Sequence, residues 1–274
     1  MGAALALASA VSFGISDFTG GLAAKRTSPV AVTAMAQVTG LLVLLPALLW
    51  LPGSASVAAL GIGAIAGLVG AGGLIAYLRG MAIGPMGVVS PLAALIGAVL
   101  PVTYGVWLGE RLTTGNLVGV MLGLIAVVAV AYTPGQLAAA NLRGPLLALT
   151  GGLAFGLFFV LLDATPADSG MWPLLGARLA AITLVGWLWW RSSTGGVSRS
   201  ASQLAVLSGT LDMLANILFL LAVRSDLLSL TSLLASLYPV VVVVMARHLL
   251  AERLSVLQAS GVAAALAGTA LIVL

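Results

Sequence analysis

The sequence predicts an all-α membrane protein: ten transmembrane helices arranged as two inverted five-helix repeats. Three observations predict it. Of 274 residues, 61% are hydrophobic and only 7% charged, against roughly 25% charged in an ordinary soluble domain, and the mean hydropathy is +1.21. The apolar residues fall into ten runs of about 20, the length an α-helix needs to cross roughly 30 Å of hydrocarbon. Finally, the chain matches itself at a fixed offset. A shift of 142 residues lays Gly109-Glu110-Arg111-Leu112 on Ala251-Glu252-Arg253-Leu254 and Phe13-Gly14 on Phe155-Gly156. It also lays Gly2 on Gly144, Leu5 on Leu147, Ser90 on Ser232, Leu92 on Leu234 and Gly119 on Gly261.

The runs lie near 2–22, 29–51, 57–78, 85–108, 115–133, 144–162, 170–190, 201–222, 227–249 and 255–274. Turn-forming clusters separate them: Lys25 to Pro29, Pro52-Gly53-Ser54, Thr133-Pro134-Gly135, Thr165 to Gly170 and Ser192 to Gly196. The first run starts at Met1-Gly2-Ala3-Ala4 without the basic residues of a cleaved leader. Although Ala6-Leu7-Ala8 resembles a cleavage site, the run reads as a retained span. Thr133 to Arg143 is the longest joint, so the repeats are 1–134 and 142–274. Five spans is an odd number, and the second half therefore enters the membrane from the opposite face. A membrane chain of two such halves places its solute site where they meet.

Charge narrows the partners. The net charge of +4 could suggest nucleic acid, but the basic residues stand singly between apolar runs, as membrane-edge markers do. With no cysteine there are no disulfides, thiol chemistry or Cys-ligated metal. One His and a few scattered acids build no metal site and no nucleophile–base pair, so an intramembrane enzyme is disfavoured, and no cofactor is expected. Loops after odd-numbered spans hold Lys25, Arg26, Arg79, Arg143, Arg191, Arg199, Arg247 and Arg253; the other face holds Arg111 and Arg224. That bias places the first face in the cytoplasm and both termini outside.

On these residues the chain resembles the EamA family of the drug/metabolite transporter superfamily. Its members carry ten helices as two repeats, with a Gly-Glu-Arg-Leu-type turn before the last helix of each. Here the turns are Gly109-Glu110-Arg111-Leu112-Thr113 and Ala251-Glu252-Arg253-Leu254-Ser255, and Tyr238-Pro239 precedes Glu252 as in the family pattern. The opening Val11 to Gly21 is similar to that of some bacterial members. One departure is Gly97, which stands in the first repeat where the second has Pro239. The resemblance implies a secondary transporter of small organic metabolites such as amino acids, most readily an exporter, in a bacterial inner membrane, as a monomer or homodimer. It also implies cytoplasmic termini, against the charge bias.

Few residues could do chemistry inside the bilayer. Asp212 lies near the middle of the eighth span with Asn216 one turn on, and Arg178 near the middle of the seventh. A charge there costs a few kcal/mol or more and must face a cavity or a partner. Asp212 and Arg178 therefore either form a static bridge or line the substrate path. Asp17, two-thirds along the first span, is either a proton-coupling carboxylate, as the first-helix acid is in small multidrug members of the superfamily, or an interfacial partner of Lys25. Asp212 is the other proton-coupling candidate. Gln37, Tyr77, Tyr104 and Tyr238 offer apolar faces with polar handles for a substrate pocket. Trp107, Trp172 and Trp187-Trp189-Trp190 read as interfacial belts, and His248 as interfacial or a proton relay.

Gly63-x-x-x-Gly67 and Gly119-x-x-x-Gly123 create faces for close helix approach. Pro91, Pro101 and Pro239 remove helix hydrogen bonds mid-span and mark the fourth and ninth spans as the moving elements. The Glu110 and Glu252 turns read as structural, each acid pairing with a base at its helix corner. The alternatives to a metabolite carrier are a lipid or lipid-linked-sugar flippase, which needs a laterally open groove, and an uncoupled channel-like facilitator. Reporters fused to the C-terminus test the charge bias: an extracytoplasmic signal is expected, and a cytoplasmic one overturns it.

Overall fold

A computed structural model describes residues 2–84, 86–131, 143–192 and 196–250, with 256, 257, 260, 261, 263, 264 and 267 beyond them. Its helices are α1 (Gly2–Ala24), α2 (Pro29–Trp50), α3 (Val57–Ile83), α4 (Met86–Trp107), α5 (Thr114–Ala131), α6 (Arg143–Asp163), α7 (Trp172–Arg191), α8 (Arg199–Val223), α9 (Leu228–Ala235) and α10 (Tyr238–Leu250). Among the described residues all regular structure is helical, and eight stretches are long and apolar enough to cross a membrane. One of these, Leu228–Ala246, spans α9 and most of α10. The tenth expected run lies outside the described residues apart from the seven positions named, as do residues 132–142 of the joint and the Glu252-Arg253 turn.

Local chemistry sets the helix starts. Pro29 opens α2 at a position where its missing N–H is not needed. Ser56 accepts from the Ala59 amide at 3.0 Å and Ser198 from the Ala201 amide at 3.3 Å, capping α3 and α8. Ser56 and Ser198 are themselves related by the 142-residue shift, so the repeat extends to the caps.

Two expected boundaries change. The third span runs on to Ile83, because Gly80-Met81-Ala82-Ile83 continues the apolar run, and Arg79 sits on the helix with its side chain exposed rather than in a loop. The ninth span is broken: α9 ends at Ala235, Ser236 and Leu237 form a turn, and α10 begins at Tyr238. Pro239 explains this. Its ring excludes the carbonyl four residues back, which belongs to Ala235. At the equivalent position α4 has Gly97 and continues unbroken through Pro91 and Pro101.

The most extensive helix contacts join the two halves. α1 packs on α8, α3 on α6 and α7, α4 on α6, and α2 on α8, while helices within one half touch far less. The 142-residue shift exchanges α3 with α8 and α1 and α2 with α6 and α7. Water does not drive association between helices in lipid, so close packing and interhelical hydrogen bonds must. Gly63 and Gly67 of α3 lie directly on the backbone at Pro173 and Ala177 of α7, and Gly209 of α8 lies on that of Ala36. Ser9 donates to the Ala215 carbonyl at 2.8 Å and Ser16 to the Ser208 carbonyl at 2.9 Å, tying α1 to α8.

At one membrane edge Trp187 and Trp190 are exposed, and the Arg191 guanidinium sits 4.9 Å from the Trp187 ring centre. His248 is exposed on α10.

A Cβ on Gly63 would collide with the Pro173 backbone, whereas one on Gly61 meets nothing within 4 Å. Gly63→Ala is expected to destabilise by about 1–3 kcal/mol and to lower the melting temperature in detergent. Gly61→Ala should melt with the parent chain. Equal melting of the two variants contradicts this packing.

Candidate functional site

Between the halves lies a cavity of about 800 Å³ including the space at its mouth, walled by α1, α2, α3, α4, α6, α7, α8 and the α9–α10 turn. Small residues make the room: Gly67, Gly70 and Ala71 on α3, Ala93 and Gly97 on α4, and Ala177 on α7 all line it. Aromatic faces supply much of the remaining wall, from Phe13, Phe155, Phe158, Phe159 and Tyr238. Phe13 packs near Phe159 and Tyr238, with ring centres at 6.1 and 6.4 Å.

The polar groups fall into two sets. The first is centred on Arg178, in the second turn of α7 rather than mid-helix, because α7 begins at Trp172. Its Nη2 donates to Asp212 Oδ2 at 2.5 Å, and its Nη1 donates to Gln37 Oε1. Gly40 leaves space for the guanidinium: a Cβ there would stand 3.1 Å from Arg178 Cζ. One side chain thus joins α7 to α2 and α8, with its charge 7% exposed and the Asp212 side chain 18% exposed. Asn216 donates to the Asp212 carbonyl at 2.7 Å, while its own Oδ1 has no partner. Static bridge and cavity wall are therefore the same pair of residues.

The second set is Asp17 with Tyr77. The Tyr77 hydroxyl donates to Asp17 Oδ2 at 2.9 Å, and its fully buried ring meets Phe155 edge-on at 5.4 Å. Asp17 lines the cavity; Tyr77 stands behind it and fixes it. Lys25 is exposed past the end of α1, and among the described residues Asp17 forms no ion pair. Tyr238 lines the cavity with a hydroxyl that has no partner. Tyr104 is off the cavity wall, tilted against Trp107 at 6.1 Å near the end of α4.

The Glu110 corner differs from the expected acid–base pair. The Glu110 carboxylate accepts from the amides of Leu228 at 2.9 Å and Ser229 at 3.1 Å, at the start of α9 in the other half. The first amides of a helix lack internal partners and carry its positive dipole end, so a carboxylate satisfies them directly. On the same face Arg224 donates to the Thr165 carbonyl at 2.9 Å and hydroxyl at 2.5 Å. Burial lowers the Arg224 pKa from its ordinary value, and nearby Asp163 and Asp168 oppose that shift.

A family model described as the EamA-like transporter family matches residues 1–132 and again 142–274. The chain belongs to the EamA-like transporter family. It is a multi-pass membrane transporter of the drug/metabolite type with two-repeat architecture. No curated protein matches the sequence. A solved structure described only as the crystal structure of a protein aligns with a TM-score of 0.70 at 20% identity. The alignment covers 97% of this chain and 98% of that one, which establishes the shared fold.

In this EamA-like transporter the aromatic wall is what the amino-acid pattern left unassigned. Phe13 and Phe155 mark the internal repeat, and both line the cavity. Residues matched by the 142-residue shift that fall on opposing helices are therefore a readable signal for the interface. Phe158 and Phe159 carry no such mark.

Removing one partner of a buried ion pair strands the other charge, at about 3–5 kcal/mol. Arg178→Gln and Asp212→Asn are each expected to lower the melting temperature of the purified transporter. The double variant should recover most of the loss. Additive losses in the double variant contradict a coupled pair.

Proposed function

We propose that the chain is a secondary transporter that exports small organic metabolites across a bacterial inner membrane by alternating access, its two inverted repeats rocking about the cavity between them. One observation carries this reading: a cavity whose wall comes from both halves and holds ionisable side chains within the membrane-spanning segments. Intramembrane charges of this kind mark solute or ion pathways. The wall is mostly apolar with a few converging polar groups, as small-molecule sites are, and the cavity has no use in a protein that only spans the bilayer. Amino acids and related small metabolites are the substrate class this reading takes from the sequence resemblance.

The motions follow from the packing. Glycine-lined contacts such as α3 on α7 and α8 on α2 let helices slide as rigid bodies, while the Pro239 break gives the second half a hinge beside the cavity. The Glu110 clasp on α9 joins the halves at one face, and opening that face requires the two amides to be released. Rocking then exposes the cavity to the two sides in turn.

Asp17 is the favoured coupling group. Asp212 is neutralised by Arg178, whereas Asp17 faces the cavity with one carboxylate oxygen held by Tyr77. A carboxylate so placed takes a proton from one side and releases it to the other as access alternates.

Reconstituted in proteoliposomes, the protein should support counterflow of a transported metabolite. Flux should respond to an imposed pH gradient in the parent and not in Asp17→Asn. Flux without counterflow points to an uncoupled facilitator, and a retained pH response in Asp17→Asn overturns coupling through this acid.

A further inference from the structure

Resting on the carrier reading of the cavity, we propose that its substrate is an organic cation: a protonated amine on an aromatic-sized apolar body. The ammonium sits on Asp17 and the body lies among Phe13, Phe155, Phe158 and Phe159. A carboxylate on the substrate is not required.

Charge decides first. Among the described residues the carboxylate and cationic side chains facing the cavity are Asp17, Asp212 and Arg178, two acids and one base. Arg178 and Asp212 cancel across 2.5 Å. That leaves one carboxylate, and among the described residues no cation pairs with it. An unpaired charge at this depth is costly unless the cavity brings it water, a proton or a counter-charge. When Asp17 is ionised a bound cation neutralises it, whereas a bound anion adds a second uncompensated charge to the same wall. The guanidinium that could receive a substrate carboxylate is already engaged by Asp212 and Gln37, and freeing it would strand Asp212.

Hydrogen-bonding capacity points the same way. The Tyr77 hydroxyl is engaged at Asp17, and each terminal nitrogen of Arg178 already gives one of its two N–H groups, to Asp212 and to Gln37. On the acceptor side, Asn216 lines the cavity and its Oδ1 is buried without a donor, so a small shift of this side chain presents an acceptor to a ligand. The Tyr238 hydroxyl, buried close to Tyr77, is a second polar group of the same wall that can accept or donate. Gln37 keeps its amide N–H donors beside Arg178, enough for a hydroxyl or carbonyl on the substrate but not for a charge. The wall therefore favours a ligand that brings N–H donors and positive charge, and the aromatic faces lining the same cavity attract a cation electrostatically.

Equilibrium dialysis of radiolabelled 2-phenylethylamine against the full-length purified transporter tests this, with competition by its neutral N-acetyl amide, by phenylalanine and by 3-phenylpropanoate. These share a phenylethyl body and differ in the polar group and charge it carries. The amine is expected to bind saturably and to be displaced at least tenfold more weakly by the amide and the anion than by unlabelled amine, with phenylalanine no better than the amine. Asp17→Asn should lose amine binding, and Asp17→Glu should restore the cation preference. The proposal is overturned by a preference for the anion, by equal displacement across the set, by undetectable amine binding, or by an Asp17→Asn protein that binds like the parent. The carrier reading fails separately: amine binding without counterflow removes transport and leaves the cation site, whereas counterflow of a neutral or anionic solute removes the cation site and leaves transport.

Discussion

A guanidinium and two carboxylates stand inside a layer that cannot solvate them, and the architecture follows from how they are accommodated. Arg178 is held by Asp212 from α8 and by Gln37 from α2, so one charge draws three helices from both halves to a common point. Asp17 is held by Tyr77 across α1 and α3. In lipid these contacts cannot be replaced by water unless a cavity brings water to them. The cavity is what permits the charges to exist at this depth, and the charges are what keep it from filling with apolar side chains.

Small residues provide the other half of the arrangement. The backbones of α3 and α7 touch at Gly63 and Gly67, and those of α8 and α2 at Gly209 and Ala36, so the halves interlock instead of sitting side by side. Small residues also thin the cavity wall, Gly67 and Gly70 on α3 and Ala177 on α7 among them, leaving room that Leu or Val would occupy. The repeats are not equal, however. Gly97 keeps α4 continuous, while Pro239 ends α9 and starts α10 beside the cavity, so the second half carries a joint that the first does not. The Glu110 carboxylate, bound to the first amides of α9, anchors the outer end of that jointed span to the opposite half.

Much of this was legible in the residues themselves. Apolar runs of membrane length placed the helices because every backbone polar group in lipid must be paired within its own segment. The 142-residue self-match divided the chain and, through Phe13 and Phe155, touched the cavity. Asp17, Gln37, Arg178, Asp212 and Asn216 stood out because polar groups are rare in such segments. Other features depended on three-dimensional relations that linear spacing does not hold. Nothing local to Glu110 says that its partner is a backbone 118 residues away. Tyr104 and Tyr238 look alike as tyrosines inside apolar runs, and only their place in the packed bundle separates the one near the end of α4 against Trp107 from the one facing the cavity at the α9–α10 break. The break at Ala235 follows from Pro239, but Pro101 shows that a mid-span proline need not end a helix.

The central claim is that water reaches the hollow between the halves and not the outer helix faces. The natural absence of cysteine makes this directly measurable. Single cysteines at Ser236 and Leu74, which line the cavity, and at Leu42 and Leu68, which are 63% and 45% exposed on outward faces, can be challenged in membranes with a water-soluble thiol reagent. Reaction needs the thiolate, and hence water. The account predicts labelling at Ser236→Cys and Leu74→Cys and protection at Leu42→Cys and Leu68→Cys. Protection of both cavity positions, or equal labelling at all four, contradicts it.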